Sequence, residues 1–275
     1  MEKRVIFALL VTCLVWTVQA QTQPQLQPQL QPQSQPQTQA KSQSKTQPQP
    51  QTYSQSQPQP QPDFDELMLS YGLVDVSSLD RSIAVDLKYS TEQNFVGENM
   101  YGSLKKAYLL PHFARRVVEA QRLLREHYPD YSLLIYDAAR PLSVQRRMRQ
   151  AVEGTPNEIY VADASRGGRH NYGVAVDLTI IDADGKPLDM GAGFDDFTSK
   201  AWVGEKSAFS LAEYKAYVEK LRLSGKISAA AARNRTLLLE IMDSVGLRPY
   251  VKEWWHFQEK ISMSQTRERY KLLEF

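Results

Sequence analysis

The sequence predicts an α+β fold: a small, mostly antiparallel sheet packed against helices. Two observations carry this reading. Segments with strand alternation and segments with helical spacing follow one another irregularly, and strands are joined partly by hairpins rather than by regular helical crossovers. In addition, two runs that otherwise read as buried strand, Gly168 to Thr179 and Glu253 to Phe257, contain ionisable side chains. A carboxylate costs several kcal/mol to bury unless a counter-charge or a metal pairs with it.

Taken from the start, residues 1–20 read as a secretory signal peptide. Lys3 and Arg4 give a positive start, Val5 to Val18 a nearly unbroken apolar run, and Val18-Gln19-Ala20 a small-residue cleavage site. The apolar run is shorter than the ~20 residues of a spanning helix. The mature protein is therefore expected in the periplasm, secreted across the inner membrane, with no stable membrane insertion after cleavage. A lipid anchor at Cys13 is a minor alternative, because Thr12 fits poorly before a modified cysteine. Cys13 is the one cysteine and would leave with the signal, so neither a disulfide nor a thiol nucleophile is expected.

Residues 21–62 form a Gln-Pro repeat holding nine of the fifteen prolines. Such a stretch cannot bury enough apolar surface to offset its ordering entropy, and its prolines oppose β stacking. It reads as an extended, solvated linker. Residues 63–275 are long enough for one domain with a sizeable core. The formal charge of +2, without a long basic block, makes nucleic acid an unexpected partner.

Within that domain Ile83 to Tyr89 alternates as a half-buried strand. Phe113, Val117, Ala120 and Leu124 recur at helical spacing over 111–127, with Pro111 suited to the first turn and Pro129 beyond the end. Tyr131 to Tyr136 is a short apolar strand that Pro141 should stop, leaving Arg140 at its end. Leu142 to Glu153 reads as a helix. Val174 to Ile181 is a strand, and Asp182-Ala183-Asp184-Gly185 a turn that reverses it into a hairpin. Leu237, Leu238, Ile241, Met242 and Val245 give a late helix one apolar stripe, with Gly246 at its end. Tyr250 to Phe257 closes the set as a strand.

Alternation places Val174, Val176 and Leu178 on one face and Ala175, Asp177 and Thr179 on the other. His170 lies seven residues before Asp177 and cannot share its face in a regular strand, so Gly173 must supply a bend. Glu253 and His256, three apart, also need a bulge or strand end to converge. Singly, each is more ordinary: a satisfied carboxylate, a loop histidine, a polar residue among the core aromatics Trp254, Trp255 and Phe257. Jointly, His170, Asp177 and His256 supply three ligands for one Zn²⁺ per chain at the sheet. Glu253 remains as a free carboxylate, its pKa raised by aromatic neighbours, to act as general base. His112 and His127 lack ligand-spaced partners and read as structural. No Gly-x-Ser-x-Gly run and no phosphate-cradling glycine loop occur.

These residues resemble a known family. Asp86-Leu87-Lys88-Tyr89 with Asn94-Phe95, Asp137-Ala138-Ala139-Arg140-Pro141, His170 to Asp177, Met190-Gly191 with Phe194-Asp195, and Glu253-Trp254-Trp255-His256 stand in the order found in zinc D-alanyl-D-alanine dipeptidases of the vancomycin-resistance type. The resemblance covers essentially all of 63–275. It implies that His170, Asp177 and His256 bind Zn²⁺, that Glu253 is the base, and that Arg140 stabilises the transition state. It further implies that Asp195 contacts the substrate's amino group and that Tyr89 lines the pocket.

Two departures stand out. Gly168 occupies a position where serine is common in the family, a contact to be lost or supplied by Ser165. The segment from about 200 to 227 is longer than the family suggests and reads as a lid or docking surface. The expected substrate is D-Ala-D-Ala or a similar small peptide derived from peptidoglycan. The alternatives are a D,D-carboxypeptidase acting on longer stem peptides and a non-catalytic wall-binding domain. A structural zinc site, however, needs no spare base and is usually closed by four protein ligands.

Overall fold

A computed structural model describes residues 63–206 and 210–275. The expected signal peptide, residues 1–20, and the expected linker, residues 21–62, lie outside the described residues. In chain order the regular elements are α1 (Phe64–Ser70), β1 (Val74–Asp75), α2 (Val76–Leu79), β2 (Ala84–Val85), β3 (Tyr108–Leu109), α3 (Pro111–His127), β4 (Ser132–Asp137) and α4 (Leu142–Val152). There follow β5 (Ala175–Ile181), α5 (Leu211–Leu223), α6 (Ala229–Ser244), β6 (Leu247–Tyr250), β7 (Glu253–Glu259) and α7 (Met263–Arg269). The architecture is α+β, as the pattern predicts.

The main sheet has five strands in the order β2-β4-β5-β7-β6. Only β2 and β4 pair in parallel; the other neighbours are antiparallel. β5 is central and all seven of its residues are buried. α3 begins at Pro111 and buries Phe113, Val117, Ala120 and Leu124, the stripe the spacing marks. It packs on β4 and α6, and α6 packs on β6. Gly246, at φ +77°, takes the left-handed position after α6. No helix among the described residues is long and apolar enough to cross a membrane.

Three expectations change. The strand expected over 83–89 is two residues long: after Asp86 N–H bonds Ile135 O, the chain turns into a 3₁₀ segment, Lys88–Ser90, that buries Tyr89. Asp182 to Gly185 does turn the chain, but only an isolated Ile181–Pro187 bridge follows, and β5 finds its partners in β4 and β7. The single strand expected over 250–257 is a hairpin, β6 and β7 around Val251 and Lys252. That turn carries no glycine, proline or asparagine to announce it. The long 200–227 segment contributes α5, which packs on α6.

Candidate active site

β5 and β7 run antiparallel with Asp177 directly opposite His256. Opposed residues in a ladder share a face, which brings a carboxylate and an imidazole together across two strands. His170 arrives from a different direction. It lies in a 3₁₀ turn, Arg169–Tyr172, closed by Gly173 at φ +67°. The positive φ favours glycine there, and a Cβ would also crowd Leu73 Cδ2 at 3.0 Å. The β6–β7 register slips between Pro249 and Tyr250, and this irregularity brings Glu253 to the face of His256.

The three expected ligands converge. His170 Nε2 lies 3.0 Å from His256 Nδ1 and 3.3 Å from Asp177 Oδ1, and His256 Nδ1 lies 3.0 Å from the same oxygen. Donors about 2.0–2.1 Å from a tetrahedral zinc stand roughly 3.3 Å apart, so the triangle has the right size. Its protonation points the same way. His170 Nδ1 is 2.7 Å from Ala138 O, which can only accept, so that nitrogen carries the hydrogen and, in the neutral ring that a metal requires, Nε2 a lone pair. His256 Nε2 is 3.1 Å from Gln258 Oε1, which likewise leaves Nδ1 with a lone pair. Asp177 Oδ1 is buried and, despite its short distances to both rings, lacks hydrogen-bond geometry to either. Three lone pairs facing one another are unfavourable unless a cation sits between them. The donor set therefore fits a metal.

Glu253 Oε2 stands 3.8 Å from His256 Nδ1, beside the triangle and outside it. Burial, reinforced by Asp177 and Asp195, pushes its carboxyl well above the usual range.

Arg140 follows β4 at the point where Pro141 turns the chain. Its Nε and Nη2 donate to Asp137 Oδ2 at 3.0 and 2.5 Å, and Nη1 donates to Gln145 Oε1 at 2.8 Å. Asp137 is fully buried and its other oxygen accepts from Tyr101 Oη at 2.6 Å. Arg140 is thus an ion-pair partner of Asp137, but a buried one on the pocket wall, with its guanidinium 5.2 Å from the Tyr89 ring centre. Tyr89 Oη donates to both oxygens of Asp195 at 3.0 and 3.2 Å. Asp195 is the one non-glycine residue with positive φ, +59°, among the described residues. A side chain held in that conformation marks a position where geometry outweighs local comfort. Although partly exposed, it is crowded by protein, and this burial pushes its pKa up to about 7 against the pull of the Tyr89 hydroxyl.

All seven expected residues line one cavity of about 260 Å³, with Phe95, Tyr160, Phe197 and Tyr250 adding aromatic wall. This is below the roughly 300–1,000 Å³ of sites for drug-sized ligands. Ser165 does not replace the missing serine: its hydroxyl donates to Asp163 in an exposed loop. A Cβ at Gly168 would come within 2.9 Å of Ala162 Cβ, so that wall has closed over the space a serine needs. His112 pairs with the buried Glu259 at 3.0 Å and His127 is exposed at the end of α3, both away from the cavity. Gln145, Tyr101 and Gln258 are supporting groups that the sequence reading did not single out. Only Gln258, two residues past His256 on the same strand face, carried a local signal.

An α+β domain with a buried two-histidine, one-aspartate cluster, a neighbouring free carboxylate and a small cavity defines a hydrolytic, peptidase-type enzyme. The comparisons name the family. The D-ala-D-ala dipeptidase model of peptidase family M15 matches residues 69–217 and 219–270. A D-alanyl-D-alanine dipeptidase of Escherichia coli (strain K12) is 32% identical over 186 residues, 68% of this chain and 83% of that one. Proteins of the same name from Synechocystis sp. and Enterococcus faecalis are 30% and 26% identical, covering 53% and 68% of this chain and 66% and 91% of their own lengths. The chain belongs to the D-Ala-D-Ala dipeptidase family.

Proposed function

We propose that this protein is a zinc-dependent dipeptidase that hydrolyses D-Ala-D-Ala, or a closely similar peptide from peptidoglycan, in the periplasm. The domain of residues 63–275 would work at the end of a Gln-Pro linker after removal of a signal peptide. The observation that carries the reading is the convergence of three lone pairs, on His170, Asp177 and His256, beside a carboxylate that takes no part in the triangle. Three protein donors are the number found in catalytic zinc sites, and four the usual number in structural ones.

Zinc held by these residues supplies a Lewis acid that lowers the pKa of water towards about 7. Glu253 takes the proton from the attacking water and returns it to the departing amine. The Arg140 guanidinium, fixed by Asp137 and Gln145, faces the carbonyl oxygen as it gains charge, a contribution typically of ~3 kcal/mol per donor. Asp195 accepts the substrate's ammonium, and Tyr89 orients Asp195 while forming the wall beside it.

The test is hydrolysis by zinc-loaded protein of D-Ala-D-Ala and of a pentapeptide ending in D-Ala-D-Ala. Release of D-Ala from the dipeptide alone supports the proposal. Cleavage of the pentapeptide moves the assignment to a D,D-carboxypeptidase. Absence of both reactions, with one zinc bound, leaves a wall-binding domain.

A further inference from the structure

Arg235 lies in α6, on the far side of the segment that carries Asp195, and only 1% of it is exposed. Among the described residues no carboxylate lies within ion-pair distance of it. Its Nε donates to Met190 O at 2.6 Å and its Nη1 to Trp202 O at 3.2 Å, while Nη2 is buried with no partner. Burying a guanidinium without a direct ion pair is costly, and Asp189 and Asp196 offset that cost only from beyond contact distance. An apolar side chain of similar length would fill the same space, so packing does not explain the charge. What the arginine adds is a rigid fork of donors that reaches two carbonyls at once.

Those two carbonyls stand at the two ends of one excursion, residues 190–202, with Phe194 and Asp195 inside it. Further contacts hold the same excursion from outside. Asn234, next to Arg235, donates to Asp189 O at 2.8 Å, and Trp254 Nε1 donates to Ala192 O at 3.1 Å. Gly191 packs so closely that a Cβ there would stand 2.7 Å from Ile227 Cγ2. Phe194 meets Tyr89, Tyr136 and Trp255 at ring-centre distances of 5.2–5.8 Å. The left-handed backbone of Asp195 is unfavourable in isolation, so the position of its carboxylate depends on these external ties.

We propose that Arg235 is a positioning residue for substrate recognition: by clamping both ends of the 190–202 excursion to α6, it sets the Asp195 carboxylate where the substrate's ammonium arrives. This rests on the reading of Asp195 given above. Arg235 touches neither substrate nor metal and is not itself catalytic.

The test compares wild type with Arg235→Met and Arg235→Lys, each alone and combined with Asp195→Asn, in the full zinc-loaded protein. Kinetics on D-Ala-D-Ala and amide hydrogen exchange are both read. For Arg235→Met the expectation is a KM raised about tenfold with kcat within about threefold, and only partial recovery with lysine. In the Asp195→Asn background the same substitution should change KM by less than about twofold, because the group it positions is gone. Amides of 190–202 should exchange faster while β5 and β7 keep their protection. A parallel fall of kcat and zinc content with protection lost throughout the domain would make Arg235 merely structural and overturn the proposal. So would unchanged KM, or unchanged exchange in 190–202. Should the wild type hydrolyse no D-Ala-D-Ala, the dipeptidase reading fails, and the exchange measurement alone decides the clamp: unchanged rates overturn it, and acceleration confined to 190–202 supports it.

Discussion

Asp177 and His256 face each other across the β5–β7 ladder, with Asp177 Oδ1 3.0 Å from His256 Nδ1 and no hydrogen between them in bonding geometry. Both atoms offer electron pairs to the point that His170 Nε2 also faces. Removing the cation that would relieve this should loosen the centre of the sheet. Chelation is expected to abolish hydrolysis and lower the melting temperature, and zinc to restore both; at a free concentration 100 times its Kd, zinc would stabilise by about 2.7 kcal/mol. His256→Ala should show neither activity nor the zinc-dependent shift. Melting curves with and without added zinc check this.

Glu253 is close to the triangle but not part of it. Glu253→Gln keeps size and polarity while removing the ionisable carboxyl proposed as the base. The expected result is a kcat reduced by about 10²–10⁴, with zinc content and KM little changed. Metal analysis beside steady-state kinetics would show it; a loss of zinc instead would make Glu253 a ligand.

Asp195 gives a pH signature. Its pKa rises from the ordinary 3.8 to about 7 in the folded protein. The native state therefore holds the proton more tightly, and the associated stability is complete below pH 3.8 and is lost as pH rises through 7. Asp195→Asn, which cannot ionise, should gain on wild type between pH 5 and pH 8 in the metal-free protein. Partial solvent contact limits the gain to about 1–3 kcal/mol. Activity should move the other way: wild-type kcat/KM rises as Asp195 ionises, and in the asparagine variant only the limb set by Glu253 remains. Paired melting curves and pH–rate profiles test both signs.

Gly173 holds the bend that carries His170 away from β5. Gly173→Ala meets a positive φ and a 3.0 Å contact with Leu73 together. A destabilisation of about 1–3 kcal/mol is expected, with weaker zinc binding, since the His170 turn is what shifts. Denaturant unfolding and zinc competition would measure the two effects.

How much of this was legible follows from where each signal resides. α3 and β5 write their faces into local spacing, so Pro111, Phe113, Val117 and Asp177 could be placed from the sequence alone. The need for a bend at Gly173 and a bulge near Glu253 was also readable, because the offsets of seven and three forbid regular strands. The β6–β7 turn was not readable, since Val251 and Lys252 have no turn chemistry and the hairpin is imposed by pairing with β5. Tyr89 and Asp195 were found only through resemblance: one leaves its expected strand at an edge, and the other adopts a conformation its residue type seldom takes. Gln145 and Arg235 lay beyond reach, because their roles are set by what packs around them.

His170, Asp177 and His256 should together grip one zinc ion. X-ray absorption at the zinc edge of the loaded protein tests it most directly. The expected spectrum shows one zinc per chain with two imidazoles and oxygen donors at about 2.0–2.2 Å, and that shell is lost in His170→Ala and His256→Ala. A protein that binds no zinc, or whose zinc shell survives both substitutions, would contradict it.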